Sequence, residues 1–327
     1  MEVRSVSPDG VVTIDPDRWD RPADGDAGFT WLDVARCDDA AEATLREQFD
    51  VSARAIAACR QRVHLPTGHG SPAGWFVVLH RPLIRRPGHV HLIQLELIIR
   101  ADALITVHGP ANPDVPADVI QRDVEALRER LASGRLRAST PSELAEALVA
   151  SIAQEYRAAL GDIATRVAEL EQEVMGHDFR SPEGLLDRMF LLRHELMTIR
   201  TMAGDVHEVF DRMAIQPNGP RFDDRRAMAD LADRFGRIRV IADGERDFLA
   251  GVIDYYQTKT ATKMTVAMER LAVLAAVTLP VTALASIYGM NVIVHDRTQW
   301  VHLVIVLIAM LAVSGALLRW TKRQGWW

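Results

Sequence analysis

The chain has 327 residues, with 38 Lys and Arg against 44 Asp and Glu, for a net charge of -6. That balance, with no concentrated basic stripe, argues against nucleic acid as a partner. Cys37 and Cys59 are the only cysteines and lie outside any CxxC spacing, so neither a disulfide framework nor a zinc ribbon is supported.

The length suits about two domains, and the mean hydropathy of -0.01 averages a charged front with a very apolar end. The first ten residues lack an apolar h-region, so no signal peptide is expected and the leading domain should stay where it is made. Residues 1–135 read as a mixed α/β cytoplasmic domain. A strand is expected at 29–34, a helix from 38 to about 49 with an Asp-rich start, and strands at 75–80, 90–100 and 103–108. In the second of these Ile93, Leu95, Leu97 and Ile99 alternate with Gln94, Glu96 and Ile98, the period of a half-buried strand. The Pro- and Gly-rich pieces 65–74 and 86–88 read as loops. Residues 116–131 form a helix with Val119, Val124, Leu127 and Leu131 as its apolar stripe.

From residue 136 to 270 the pattern is that of a helical stalk. Thr140-Pro-Ser-Glu opens a helix that runs to about Met175. Ser181-Pro-Glu opens a second, which ends near Met213 before the breaker Gln216-Pro-Asn-Gly-Pro. A third begins near Asp223 and meets no proline until Pro280; unbroken to Met290 it would be on the order of 100 Å long.

Two apolar runs close the chain: 271–290, without a charged side chain from 271 to 286, and 300–319. Each is about the 20 residues a helix needs to cross a bilayer, with residues 291–299 as the connecting external loop and 320–327 as a basic tail. Lys259, Lys263 and Arg270 precede the first run, and Arg319, Lys322 and Arg323 follow the second. The loop has Arg297 offset by Asp296. Positive residues collect on the cytoplasmic side, which places both termini in the cytoplasm of a cell inner or plasma membrane. Trp300, Trp320, Trp326 and Trp327 fall where interfacial aromatics are expected.

One hairpin encloses nothing, so a conducting pore would require a cyclic homo-oligomer; a plain anchor is the simpler reading of two spans. Ala275, Ala276, Thr278, Thr282, Ala283 and Ser286 permit close packing or line a conduit, and Pro280 interrupts the backbone ladder. At the end of the first span, Tyr288-Gly-Met-Asn offers a close backbone approach and then a carboxamide oxygen. A ring of such oxygens suits the water shell of Mg²⁺, which dehydrates reluctantly.

The Gly289-Met290-Asn291 tripeptide in this place resembles that of the CorA family of divalent-cation transporters, including its ZntB branch. Lys263, Met268, Leu271, Pro280, Thr282, Ile287-Tyr288 and the basic tail support the match. Fainter similarity reaches Asp254-Tyr-Tyr, Asp230-Leu-Ala-Asp, Thr106-Val-His and Trp31-Leu-Asp-Val. The resemblance implies an α+β cytoplasmic domain, a long helical stalk and two C-terminal transmembrane helices, assembled as a funnel-shaped homopentamer. It implies a selectivity filter at Gly289, Met290 and Asn291, apolar constrictions at Met268 and Leu271 where gating can occur by dewetting, and a polar ring at Thr282. It further implies an acidic cytoplasmic ring at Asp254 and regulatory metal ligation at Asp230 and Asp233. Residues 268, 271, 275, 279, 282, 286 and 289 advance by threes and fours, so Ala275, Leu279 and Ser286 share the pore-lining face. The cargo and regulatory ion is expected to be Mg²⁺, with Co²⁺, Ni²⁺ and Zn²⁺ as alternatives.

Departures from the family pattern are equally visible. The loop Val292-Ile-Val-His-Asp-Arg-Thr lacks the acidic sequence common in magnesium-transporting relatives and the glycine-rich one of the zinc branch, and it carries His295. Glu269 stands where a basic residue is usual, and Thr265 where an Asn is. A proton-coupled zinc carrier and a non-conducting membrane-anchored sensor are therefore the other readings.

Other candidate sites are bland. His194-Glu-Leu-Met-Thr lacks the second histidine of HExxH. His89 and His91 face one side of a strand, His64 and His69 lie in a polar loop, and Glu169, Glu171 and Glu173 read as a solvated helix face. There is no P-loop, no GxGxxG and no nucleophile–base arrangement, so no enzymatic activity or ATP-driven pumping is expected.

Overall fold

In the computed structural model the described residues are 1–7, 10–14, 28–71, 74–110, 112–176, 182–215, 222–289 and 300–323. They divide into two units, Met1–Val252 and Ile253–Trp327.

The first unit is built on a mixed sheet. Its strands are β1 (Glu2–Ser7), β2 (Gly10–Ile14), β3 (Phe29–Val34), β4 (Thr67–Ser71), β5 (Gly74–Arg86), β6 (His89–Ile99) and β7 (Ala103–His108). The order across the sheet is β2-β1-β3-β7-β6-β5-β4. Every pairing is antiparallel except β3 with β7, where Asp33 lies opposite Thr106. Helices α1 (Asp39–Glu47) and α2 (Ala53–Arg60) cover one face, and α3 (Ala117–Ala132), α4 (Pro141–Met175) and α5 (Pro182–Ile215) serve the other. The starts of α1, α2 and α4 are set by side chains that accept a backbone N–H: Asp38 from Ala41 at 2.9 Å, Ser52 from Ala55 at 3.3 Å, and Thr140 from Glu143 at 3.2 Å.

Two layers of helix explain why β6 is not half-buried, as its alternation suggests. Leu32, Val34, Ile98, Ile105 and Val107 pack with Ala41, Leu45, Ile56 and Cys59 on the α1–α2 face. Gln94 and Glu96 are enclosed on that same face, Glu96 completely. On the other face Tyr156 of α4 is fully buried, and its hydroxyl donates to the His80 carbonyl at 2.8 Å. The ring of Phe235 meets Tyr156 edge-on, with centroids 5.5 Å apart, and stacks with Phe210 of α5 at 6.4 Å.

The parallel seam is joined by polar groups. Thr106 Oγ1 donates to Asp33 Oδ1 at 2.5 Å and accepts from the Trp31 indole N–H at 3.3 Å. The Arg4 guanidinium lies 4.8 Å over the Trp31 ring, a cation–π contact in the interior. A buried pair, Arg81 with Asp123, ties β5 to α3. At the β5–β6 turn Gly88 has φ +79°, and its N–H donates to Glu195 of α5, which also pairs with Arg166 of α4.

The segment 65–74 contains a strand where a loop is expected. β4 pairs with β5 from Thr67↔Val78 to Ser71↔Gly74. Its glycines serve close packing instead of a turn: a Cβ on Gly68 would lie 2.5 Å from Val209 of α5. The strands β1 and β2 and the helix α2 are also absent from the sequence reading; all are too short to carry a sustained period.

Helix α6 (Phe222–Gly289) has 68 residues and contributes to both units. The second unit consists of its C-terminal part and α7 (Trp300–Arg323). Both helices are long and apolar enough to cross a membrane, with window hydropathies of 1.8 and 2.0. Met290 and Asn291, expected to form part of a filter, and the loop with His295 lie outside the described residues.

Candidate functional site

The residues expected to line a path fall on α6. At about 100° per residue, Met268, Leu271, Ala275, Leu279, Thr282, Ser286 and Gly289 occupy a sector about 80° wide. All seven are exposed; Met268 is 57%, Leu271 66% and Leu279 67% accessible. The least accessible positions of this part of α6 are Val273, Ala276, Val277, Pro280, Val281 and Leu284. They centre on the opposite side of the helix. In α7 a matching sheltered row runs through Val306, Met310, Ser314, Leu317 and Thr321. One face of this part of α6 is therefore less accessible, and the candidate row is on the exposed face.

Asp254 is exposed and falls within about 20° of the same sector. Glu269 does not share the face: it stands about 100° round from Met268 and is half-buried. A ring of Glu269 carboxylates in the path is not what this geometry offers.

Hydroxyls on α6 have their protons committed. Thr278 Oγ1 donates to the Leu274 carbonyl at 2.8 Å, and Thr282 Oγ1 donates to the Thr278 carbonyl at 2.8 Å. A threonine that donates back into its own helix turns lone pairs outward. Thr282 thus presents an acceptor oxygen, the polarity that a hydrated cation requires. Pro280 has no N–H to give the Ala276 carbonyl, which leaves that oxygen without its helical donor.

Asp230 and Asp233 are exposed on the part of α6 that belongs to the first unit. Among the described residues no group of three or more His, Cys, Asp or Glu side chains could hold a metal ion. Metal ligation at Asp230 or Asp233 would thus need ligands from outside those residues. The rings of His89 and His91 are in edge contact, centroids 4.4 Å apart. His194 is exposed, and its carbonyl accepts from Thr198 Oγ1 at 3.0 Å. Glu173 pairs with Arg188 across α4 and α5.

Glu96 escaped the sequence reading as a residue of interest. Burial pushes its carboxyl up to about 8, against a hydrogen bond from Gln94 that acts the other way. The signal available was an acid within an apolar strand, which alternation assigns to solvent.

The family model for CorA-like Mg²⁺ transporter protein matches residues 26–323. A putative metal ion transporter of Bacillus subtilis, YfjQ, is 21% identical over 305 residues, covering 92% of this chain and 91% of that protein. The zinc transport protein ZntB of Yersinia pseudotuberculosis is 27% identical over 167 residues, half of each chain. Among solved structures, the complete CorA magnesium transporter from Methanocaldococcus jannaschii superposes with a TM-score of 0.78 at 16% identity, covering 100% of this chain and 99% of that one.

Proposed function

The chain belongs to the CorA-like Mg²⁺ transporter family, and we propose that it passes Mg²⁺ through a homopentameric pore lined by α6. The observation that carries the reading is the exposed row from Met268 to Gly289, opposite the less accessible face of the helix. Several copies arranged about an axis would turn that row inward and close a conduit. Met268 and Leu271 would form apolar constrictions, Thr282 an acceptor ring, and Asp254 an acidic exit. Gly289, Met290 and Asn291 would form the outer filter, on the strength of the family resemblance. Both termini would be cytoplasmic. An interior-negative potential drives a divalent cation inward by about 4.6 kcal/mol per 100 mV, so conduction needs no fuel.

Regulation would fall to Asp230 and Asp233, each subunit supplying part of a metal site to its neighbour. Metal bound there would hold the closed arrangement, and Asp230→Ala would relieve inhibition by internal Mg²⁺. Unchanged inhibition would remove that role.

The test is uptake of Mg²⁺, Co²⁺, Ni²⁺ and Zn²⁺ into liposomes containing the purified protein, with and without a pH gradient. Mg²⁺ uptake indifferent to the gradient is expected. Zinc-preferring flux that follows protons would favour the second reading, which the ZntB similarity supports. No flux of any ion from assembled protein would leave a membrane-anchored sensor.

A further inference from the structure

A cavity of about 260 Å³ opens where the start of α2 faces the sheet edge formed by β4 and β5. It lies wholly within the first unit and contains none of the residues assigned to conduction or metal sensing. Its floor is apolar: Ile98 is buried, and Phe76 is half-buried against the core cluster. Phe76 and His69 are opposite one another on paired strands, so their side chains share this face of the sheet.

Two arginines stand in the walls. Arg100 is fixed by a bond to the Phe49 carbonyl and by an ion pair with Asp102 at 3.2 Å. Arg54 has no ion-pair partner among the described residues. It sits in the first turn of α2, a turn that contains no acid. A cation there faces the positive end of the helix dipole, an arrangement that an anion in the cavity would reverse. Partial burial and the fields of Arg54 and Arg212 lower the pKa of His69. Asp50, at φ +49°, is the acid in the lining.

Asp102 balances Arg100, which leaves Arg54 against Asp50: one unpaired guanidinium in the lining, which suits a monoanion and is too little charge for a polyphosphate. The volume is several times that of a bare oxyanion. We propose that the cavity binds a small flat monocarboxylate, its carboxylate on Arg54 and Arg100 and its apolar body on Phe76 and Ile98. A planar guanidinium matches a carboxylate in two-point geometry, and an aromatic or aliphatic body removes Phe76 from water.

Titration of the full-length protein in nanodiscs with benzoate, followed by saturation-transfer NMR, tests this. Saturable binding in the millimolar range or tighter is expected, with acetate weaker by about tenfold because it lacks the apolar body. Arg54→Glu should weaken benzoate by about tenfold or more. Arg54→Gln, which keeps the length, serves if the charge reversal unfolds the protein. Phe76→Leu should weaken benzoate while leaving acetate unchanged. Absence of benzoate binding, equal affinities for benzoate and acetate, or binding indifferent to both Arg54 variants would each overturn the assignment.

Discussion

Glu96 places an ionisable carboxyl at the centre of the sheet with no access to water. It stands opposite Val78 on β5 and Val107 on β7, and Gln94 Nε2 donates to its Oε1. Oε2 has no hydrogen-bond partner among the described residues. Burial raises its pKa from 4.5 to about 8. Below pH 4.5 folded and unfolded chains both keep the proton, so this group makes no difference to stability. As pH rises, the unfolded chain releases it first while the folded chain holds it, and stability falls. The loss stops once the folded carboxyl ionises, near pH 8. The slope between these limits is about 1.4 kcal/mol per pH unit, so about 3 kcal/mol disappears from pH 5.5 to 7.5. Glu96→Gln has no such proton to lose and keeps an acceptor for Gln94. Chemical denaturation of both full-length proteins, followed by the fluorescence of the buried tryptophans from pH 5 to 8.5, isolates the effect as a difference. The variant should be the more stable at pH 7.5, and the gap should shrink toward pH 5. Parallel pH profiles would refute the reasoning.

Asp123→Ala strands the buried Arg81 guanidinium and should cost about 3–5 kcal/mol, measured by the same denaturation. Replacing both partners, Arg81→Met with Asp123→Leu, should recover most of it. Gly88→Ala forces an L side chain to φ +79° and drives its Cβ into Leu191 Cδ2. A loss of roughly 1–3 kcal/mol is expected, and an unchanged midpoint would contradict that contact. Thr282→Val keeps shape and removes the acceptor, so flux should fall about tenfold while Thr282→Ser conducts and both elute as the wild-type oligomer.

What could be read from the sequence follows the length over which each signal accumulates. Strand β3 at Phe29–Val34 and strand β7 at Ala103–His108 stand where the apolar runs put them, and α4 begins at the Thr140-Pro141 signal. Helix α6 passes through Pro280, as the lack of any earlier breaker suggests. By contrast, β4 is the five residues Thr67–Ser71, three of them Gly or Ser, and exists through backbone pairing to β5. Composition cannot announce such a strand. Gln94 and Glu96 mislead because an alternating pattern reports one apolar face and is silent on what covers the other. The shared face of Met268, Leu271 and Thr282 could be read from spacing alone. That this face is the accessible one could not, since accessibility depends on what packs against α6.

The single parallel pairing also has a consequence for how the protein is made. Strands β4 to β7 form a meander of neighbours in sequence, and β1 to β3 form another local group. The meander closes through short connections, at little entropic cost. Joining them requires Thr30 to find Ala103 and Val34 to find Val107, more than seventy residues apart. Contacts of that separation are the slow ones in folding. On the ribosome, β3 emerges long before its partner, with one edge unpaired and Leu32 and Val34 uncovered. The helices α1 and α2 are synthesised in that interval and pack on those same side chains. They can act as a temporary cover, so that the nascent half-sheet waits for β7 without offering its apolar face to another chain.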